Sequence, residues 1–344
     1  VCSEGLPAIR LHTQGGDYLE ETHFLKRGDP NQKGDVATQG FLQVLSRDGK
    51  PSAAWSKPMP QGSRTPGLRA NLARWLTDEK EGAGGLLARV IVNRLWHHHF
   101  GRGLTPTIND FGIQGDRPSH PELLEWLAGE LIRSGWSLRH IHMLIVSSTT
   151  YQQEAATNAP RLKVDPTNRL YWRFSPRRLE AEIVRDSILA VSGRLDPTPF
   201  GPGTMDPTHR RRSVYFFLKR SALPADLMVF DAPDTLQVAE ARPTTTVAPQ
   251  ALYLLNGRLA RECATDLARV LGGTKPDANS FVDAAYIRLL GRKPLDPERT
   301  AATEFLASQE KALASEEGIR DPGMVARVDL AHALLQLNEF LYLP

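Results

Sequence analysis

The sequence predicts a mainly α-helical protein, and three observations predict it. Beyond residue 65, apolar residues recur at helical spacing in one segment after another. Capping residues, prolines and glycines punctuate those segments where helices start and stop. Val214–Leu218, rich in β-branched and aromatic residues, is the best candidate for a strand. The expected architecture is an irregular helical domain over residues 66–344, with at most a small β element. A Gly/Pro-rich N-terminal arm over residues 1–65 precedes it, either wrapping the helical body or forming the tail of an upstream domain.

Within the arm, Ala8–His12 and His23–Lys26 are the candidates for short extended pieces, and Arg27-Gly28-Asp29-Pro30 reads as a turn. The first helical face follows from Leu68, Leu72, Trp75 and Leu76. A second helix runs from about Leu86 to Phe100, with Leu87, Val90, Ile91, Arg94 and Leu95 on or near one stripe, and Gly101 ends it. After a loop over Arg102–Pro118, Ser119-His120-Pro121-Glu122 has the form of a capping box. It opens a helix carrying Leu123, Leu124, Trp126, Leu127, Leu131 and Ile132, which Gly135 closes. Ser137 caps the next, Leu138 to about Thr149, with Leu138, Ile141, Leu144 and Ile145 inward.

Ser175-Pro176 signals another start, followed by a charge-dense helix to Gly193. Thr246 is placed to cap a long helix through Leu271, with Leu252, Leu255, Leu259, Cys263 and Leu267 in register. Gly257 weakens that helix by roughly 1 kcal/mol. Helices at 280–290, 297–315 and 322–341 complete the chain.

Composition narrows the function classes. Hydrophobic residues make up 41% and charged residues 24% of 344, as in an ordinary globular protein. No apolar run approaches the roughly 20 residues of a membrane span, so no transmembrane segment is expected. The net charge of +3 reflects 42 basic against 39 acidic residues, too even to demand nucleic acid as a partner. Arg210-Arg211-Arg212 reads as a solvated turn or an ion-pair partner. Two cysteines, Cys2 and Cys263, cannot build a Cys-rich metal site, and their pairing is left open.

The most suggestive stretch is Asn93-Arg94-Leu95-Trp96-His97-His98-His99-Phe100-Gly101. Consecutive helical residues point about 100° apart, so one helix face cannot present all three histidines to a metal. The spacing does place Asn93 beside His97 and Arg94 beside His98. Protonated histidine also favours a helix C-terminus, so capping and packing are the alternative reading. Asp110 follows in the Asn109–Gly115 loop. It is positioned to orient a histidine as carboxylates orient imidazoles, or to bond its own backbone in a tight loop. Arg178 and Glu182 form an i, i+4 pair in the charged helix, while Glu182 and Asp186 form a like-charge one. Thr244–Leu252 precedes a helix start, where amides can cradle an anion or a threonine can cap.

Several stretches are familiar. RVIVNRLWHHHFGRGLTPTINDFGIQGDRPSHPELLEWLAGELIRSGWSLRHIHMLIVSSTTYQQ (89–153) closely resembles the planctomycete-specific C-terminal domain known as domain of unknown function 1553. So do NRLYWRFSPRRLEAEIVRDSILAVSGRLD (168–196), RRSVYFFLKR (211–220), TTTVAPQALYLLN (244–256), YIRLLGRKP (286–294) and LLQLNEFLYLP (334–344), together with LKRGDPNQKGDV (25–36). Gln336 stands where that pattern has a small or Asn/Ser-like residue. The resemblance implies a module at the C-terminus of a long exported protein, behind a cytochrome c-like module and a second uncharacterised domain. It therefore implies an extracytoplasmic location and a part in polysaccharide use. It brings no catalytic residue with it.

The functional expectation is an extracytoplasmic module of a larger protein that serves polysaccharide breakdown by glycan binding or processing. A scaffold that docks the cytochrome c-like and upstream domains of the same polypeptide is one alternative. A metal-dependent hydrolase using His97 or His99 with His140 or His142 is another. If the chain has a site, His97 is the expected acid/base and Asp110 its orienter. Arg94 is the expected anchor for an acidic or sulfated sugar, with Asn93 beside it and support from Arg178 and Glu182. No cofactor is expected in this chain; a haem would belong to an upstream domain.

Overall fold

A computed structural model describes residues 22–58, 60–61, 67–219, 223–233, 241–272 and 277–343. Ala8–His12 and Cys2 lie outside the described residues. Thirteen α-helices and two small two-stranded sheets occur among the described residues, so the protein is mainly α. The chain divides into two compact units, residues 1–152 and 153–344.

The N-terminal unit opens with an antiparallel hairpin of β1 (His23–Leu25) and β2 (Lys33–Val36), in which His23 faces Val36 and Leu25 faces Lys33. The expected Arg-Gly-Asp turn joins them. Arg27 and Gly28 take left-handed backbone, with φ of 53° and 77°. Asp29 holds the turn by accepting from the Asn31 and Gln32 N–H groups, each at 2.9 Å. The following segment packs on α1 (Leu68–Thr77): Phe41 stacks on Trp75 at 5.2 Å and meets Trp55 edge-on. Both indoles find partners, Trp75 Nε1 donating to Ser46 Oγ at 3.1 Å and Trp55 Nε1 to Asp78 Oδ2 at 2.9 Å. That tertiary pull leaves Leu68 and Leu72 exposed and makes Asn71 and Trp75 the inward face.

The unit's central helix is α2 (Gly84–Phe100). Its fully buried line is Ala88, Val92, Trp96 and Phe100, four residues apart. Leu87, Val90, Ile91 and Leu95 are half-buried flanks and Arg94 is exposed, so the stripe sits slightly rotated from expectation. The large residues straddle the contact, and the small ones let α3 (Pro121–Arg133) approach. From α3, Leu124, Leu127, Ala128 and Leu131 are buried, while Trp126 faces out. The expected capping box does not form. His120 occupies the N-cap, and Ser119 binds the Leu104 carbonyl through its amide at 2.8 Å and its hydroxyl at 3.3 Å. Ser137 does cap α4 (Leu138–Val146), accepting from His140 N–H, and Ile141 and Ile145 point inward.

The C-terminal unit contains α5 (Ala159–Val164), β3 (Arg177–Arg178), α6 (Ala181–Val191), α7 (Ala225–Val229), α8 (Ala248–Asn256), α9 (Arg258–Gly272), α10 (Ala278–Leu290), α11 (Asp296–Leu313), α12 (Pro322–Leu335), α13 (Asn338–Leu341) and β4 (Tyr342–Leu343). Ser175-Pro176 starts no helix, because the next residues pair instead with β4: Arg177 faces Leu343 and Arg178 faces Tyr342. Val214–Leu218 is not a strand. Ser213 N–H and Oγ both bind Asp186 Oδ1 at 2.7 Å, which turns Ser213–Tyr215 into a 3-10 helix.

The long helix expected from Thr246 breaks in two. Gly257 is extended, with φ −69° and ψ 133°, and a Cβ there would sit 2.3 Å from the Tyr253 carbonyl oxygen. The N-cap of α8 is Val247, not Thr246. As a result Leu254, and not Leu252 or Leu255, enters the core. The most extensive helix pairings are α9 with α12 and α11 with α12, and Phe281, Leu267 and Leu335 are fully buried. The last predicted helix also divides, at Gln336–Leu337, before α13.

Arg292, just beyond the α10 terminus, links two later elements. It forms a two-armed pair with Glu298, both arms at 2.7 Å, and a second with Glu339 at 2.6 and 2.8 Å. The Arg292 guanidinium, then the Leu295 N–H, pull the Glu298 carboxyl down to about 2 from its ordinary 4.5. A depressed carboxylate stabilises the fold above its unfolded pKa, and that stability is lost as pH falls through the folded value. Glu298→Gln should therefore be less stable than the parent at neutral pH. The gap should close between about 4.5 and about 2, read by urea unfolding across that range.

Candidate functional site

The helix end singled out by the sequence is an internal clamp. Gly101 takes φ 76° and its N–H returns to the His97 carbonyl at 2.7 Å, ending α2. Asn93, expected to touch substrate, is fully buried. Its Nδ2 donates to the Thr105 carbonyl at 3.0 Å and its Oδ1 accepts the Thr105 N–H at 2.9 Å. Gly103 permits this approach, since a Cβ there would lie 2.8 Å from Asn93 Nδ2. Arg94 donates to Asn109 Oδ1 at 2.7 Å. Asp110 turns its carboxylate onto its own loop, accepting from Gly112 N–H at 2.8 Å, while its carbonyl accepts from Thr107 Oγ1. Asn93, Arg94 and Asp110 thus all bind the loop that follows α2.

The histidines separate as helical geometry requires. The His97 and His98 rings meet edge-on at 5.6 Å. His99 Nε2 approaches His142 Nδ1 at 2.8 Å, which joins α2 to α4, and Tyr151 lies 5.5 Å from the His99 ring. His140 turns to Glu130 at 3.1 Å. So the structure brings together one of the cross-helix histidine pairs expected for a metal. Among the described residues no group of three or more His, Cys, Asp or Glu is placed to hold an ion.

Arg178 and Glu182 have separate partners. The Arg178 side chain is 4% exposed and donates to Asp231 Oδ2 at 2.6 Å, to the Phe230 carbonyl at 3.1 Å and to the Thr245 carbonyl at 2.7 Å. Asp231 stands at a φ of 62° and also accepts the Thr245 N–H and hydroxyl, each at 2.8 Å. Partial burial acts to raise its pKa, but Thr245 and Arg178 outweigh that and hold the carboxyl below its usual range. The anion cradle suggested by Thr244–Leu252 is therefore filled by the chain's own carboxylate. Glu182 pairs with Arg242 at 2.6 Å.

Chemistry open to solvent gathers elsewhere in this unit, in a cleft of about 260 Å³. Its polar wall is Arg194, Arg210, Asp226, Tyr253, Arg258 and Glu262; Leu189, Pro207 and Leu259 supply apolar surface, and Thr208 a hydroxyl. Buried Arg185 positions one rim. Its guanidinium donates to the His209 and Arg211 carbonyls and lies 4.8 Å from the Phe216 ring, which fastens residues 209–213 to α6. Asp206 tightens the same rim by accepting the Thr208 N–H at 2.8 Å and hydroxyl at 2.7 Å. On the far side, Arg194 reaches α9, donating to Glu262 at 2.8 Å with Asp266 at 3.2 Å. Burial, then the neighbouring Asp226 carboxylate, push the Tyr253 phenol pKa up.

The sequence reading missed Arg194, Asp226, Tyr253, Arg258 and Glu262. The legible signal was the i, i+4 pair Arg258–Glu262 on the polar face of α9; the other cleft residues come from segments far apart in the chain.

The family described as PSD1, protein of unknown function (DUF1553), matches residues 68–306. The chain belongs to that family. The matched span runs from α1 into α11 and contains the α2 clamp, the Arg178–Asp231 network and the whole cleft lining. The comparisons with curated proteins and with solved structures found no match.

The clamp makes a specific prediction for this DUF1553 chain. Asn93→Ala leaves the buried Thr105 amide and carbonyl without their partner, which costs about 1–3 kcal/mol. Chemical denaturation should show that loss. Asp110→Asn, which keeps an acceptor for Gly112, should stay close to the parent.

Proposed function

We propose that the chain is a glycan-binding module of a larger exported protein, serving polysaccharide breakdown by holding a sugar unit in the cleft of its C-terminal unit. The observation that carries this reading is the make-up of the cleft wall. A sugar presents hydroxyls that both donate and accept, beside patches of C–H surface. Asp226 accepts, Arg210 and Arg258 donate, and the Thr208 hydroxyl, itself donating to Asp206, can accept, beside Leu189, Pro207 and Leu259. The resemblance to modules found behind cytochrome c-like domains supports an extracytoplasmic location, with any haem held upstream. Among the described residues no helix is long and apolar enough to cross a membrane.

One observation favours a second role, docking the other domains of the polypeptide. Phe200, Met205, Val214, Phe217 and Leu218 are all more than half exposed. They lie on one excursion, closed by the Thr204–Phe216 bridge and by the Tyr215 hydroxyl accepting from Phe200 N–H at 2.7 Å. Exposed apolar surface of this kind marks interaction sites.

Calorimetric titration of the chain with neutral and acidic oligosaccharides tests the glycan reading. Saturable binding is expected with at least one, and Asp226→Asn should weaken it about tenfold, the loss of one charged hydrogen bond. Absence of binding to every oligosaccharide, or an Asp226→Asn chain that binds like the parent, contradicts it.

A further inference from the structure

Three guanidinia and two carboxylates line the cleft, and Asp266 beside Arg194 supplies a third carboxylate. The three arginines are not equivalent. Arg194 is locked against α9 by Glu262 and Asp266, with its side chain 14% exposed. Arg258 touches Glu262 at 3.3 Å, and its side chain is 75% exposed. Among the described residues the Arg210 guanidinium has no ion pair. Arg194 first, then Arg258 and Arg210, hold the Glu262 carboxyl below its ordinary range. Glu262 is thus already shared by Arg194 and Arg258, and among the described residues Arg210 is the cleft guanidinium without a carboxylate of its own, on the rim with the exposed Arg258. Elsewhere on the cleft wall the Tyr253 phenol and the Asp226 carboxylate lie together, polar groups that suit neutral hydroxyls.

We infer that the sugar taken by this cleft carries one anionic group, seated between Arg210 and Arg258, with its hydroxyls turned towards Asp226 and Tyr253. Guanidinium forks match the paired oxygens of a carboxylate or a sulfate ester, so the shared chemistry is an acidic sugar. The inference rests on the glycan reading above and adds its charge selectivity.

The test is titration of the chain with three probes: galacto-oligosaccharide (neutral), oligogalacturonide (carboxylate) and a sulfated galactan oligosaccharide (sulfate ester). At least one acidic probe should bind about tenfold or more tightly than the neutral one. Which acidic arm binds identifies the oxyanion. Added salt should erode that advantage. Arg210→Gln and Arg258→Gln should each reduce it while leaving the folded state unchanged by circular dichroism. Asp226→Asn should weaken all bound probes alike. Equal affinity for the neutral and acidic probes overturns the charge inference and leaves the glycan reading standing. Binding of none of the three overturns both. Acidic preference that survives both arginine substitutions overturns the placement of the anion.

Discussion

The C-terminal unit depends on one helix with two opposed faces. Along α9, Ala260, Cys263, Ala264, Leu267, Ala268 and Gly272 are all buried. Most of these side chains are small, so α9 packs closely with α12, whose Ala331, Leu334 and Leu335 are also buried. The outward face carries Arg258, Arg261, Glu262, Asp266 and Arg269. Arg261 reaches back to Asp329 on α12 at 2.5 Å, and Glu262 and Asp266 receive Arg194. The packing that excludes water on one side thus fixes the cleft wall on the other. Cys263 belongs to the packed side: it is unpaired, fully buried, and burial pushes its thiol pKa up, which makes it a small hydrophobe and not a nucleophile.

Buried arginines do the rest of the positioning. A guanidinium removed from water is costly unless its donors are satisfied. Arg178 meets a carboxylate and two carbonyls; Arg185 meets carbonyls and an aromatic face. Desolvation lowers the Arg185 pKa, with Asp186 opposing it. Each arginine joins segments dozens of residues apart, and irregular chain between helices becomes defined wall as a result. Asn93 does the same in the N-terminal unit without a charge.

Local signals were legible and nonlocal ones were not. Gly101, Gly135 and Gly193 end their helices with positive φ because only the immediate chain decides that geometry, and Ser137 caps α4 for the same reason. The Ser175-Pro176 start failed because a strand partner 165 or so residues away in sequence, an order-of-magnitude reach that local propensity cannot sense, captured Arg177 and Arg178. Gly257 looked like a mild weakness in a helix; contact with the Tyr253 carbonyl makes it a break. Asn93, Arg94 and Asp110 were read as parts of one site, yet their partners, Thr105, Asn109 and Gly112, lie in the loop that follows α2. Only the Arg258–Glu262 pair of the cleft was legible locally, since Arg194, Asp226 and Tyr253 join it only once α6 to α9 are assembled.

The most direct test of the cleft as the binding site is backbone amide NMR mapping of the isotopically labelled chain, titrated with oligogalacturonide and with galacto-oligosaccharide. Shifts concentrated at residues 206–210, 226 and 253–262 are predicted, with the α2 end and its loop unmoved. Shifts centred on residues 93–112, or spread evenly over both units, would contradict the account.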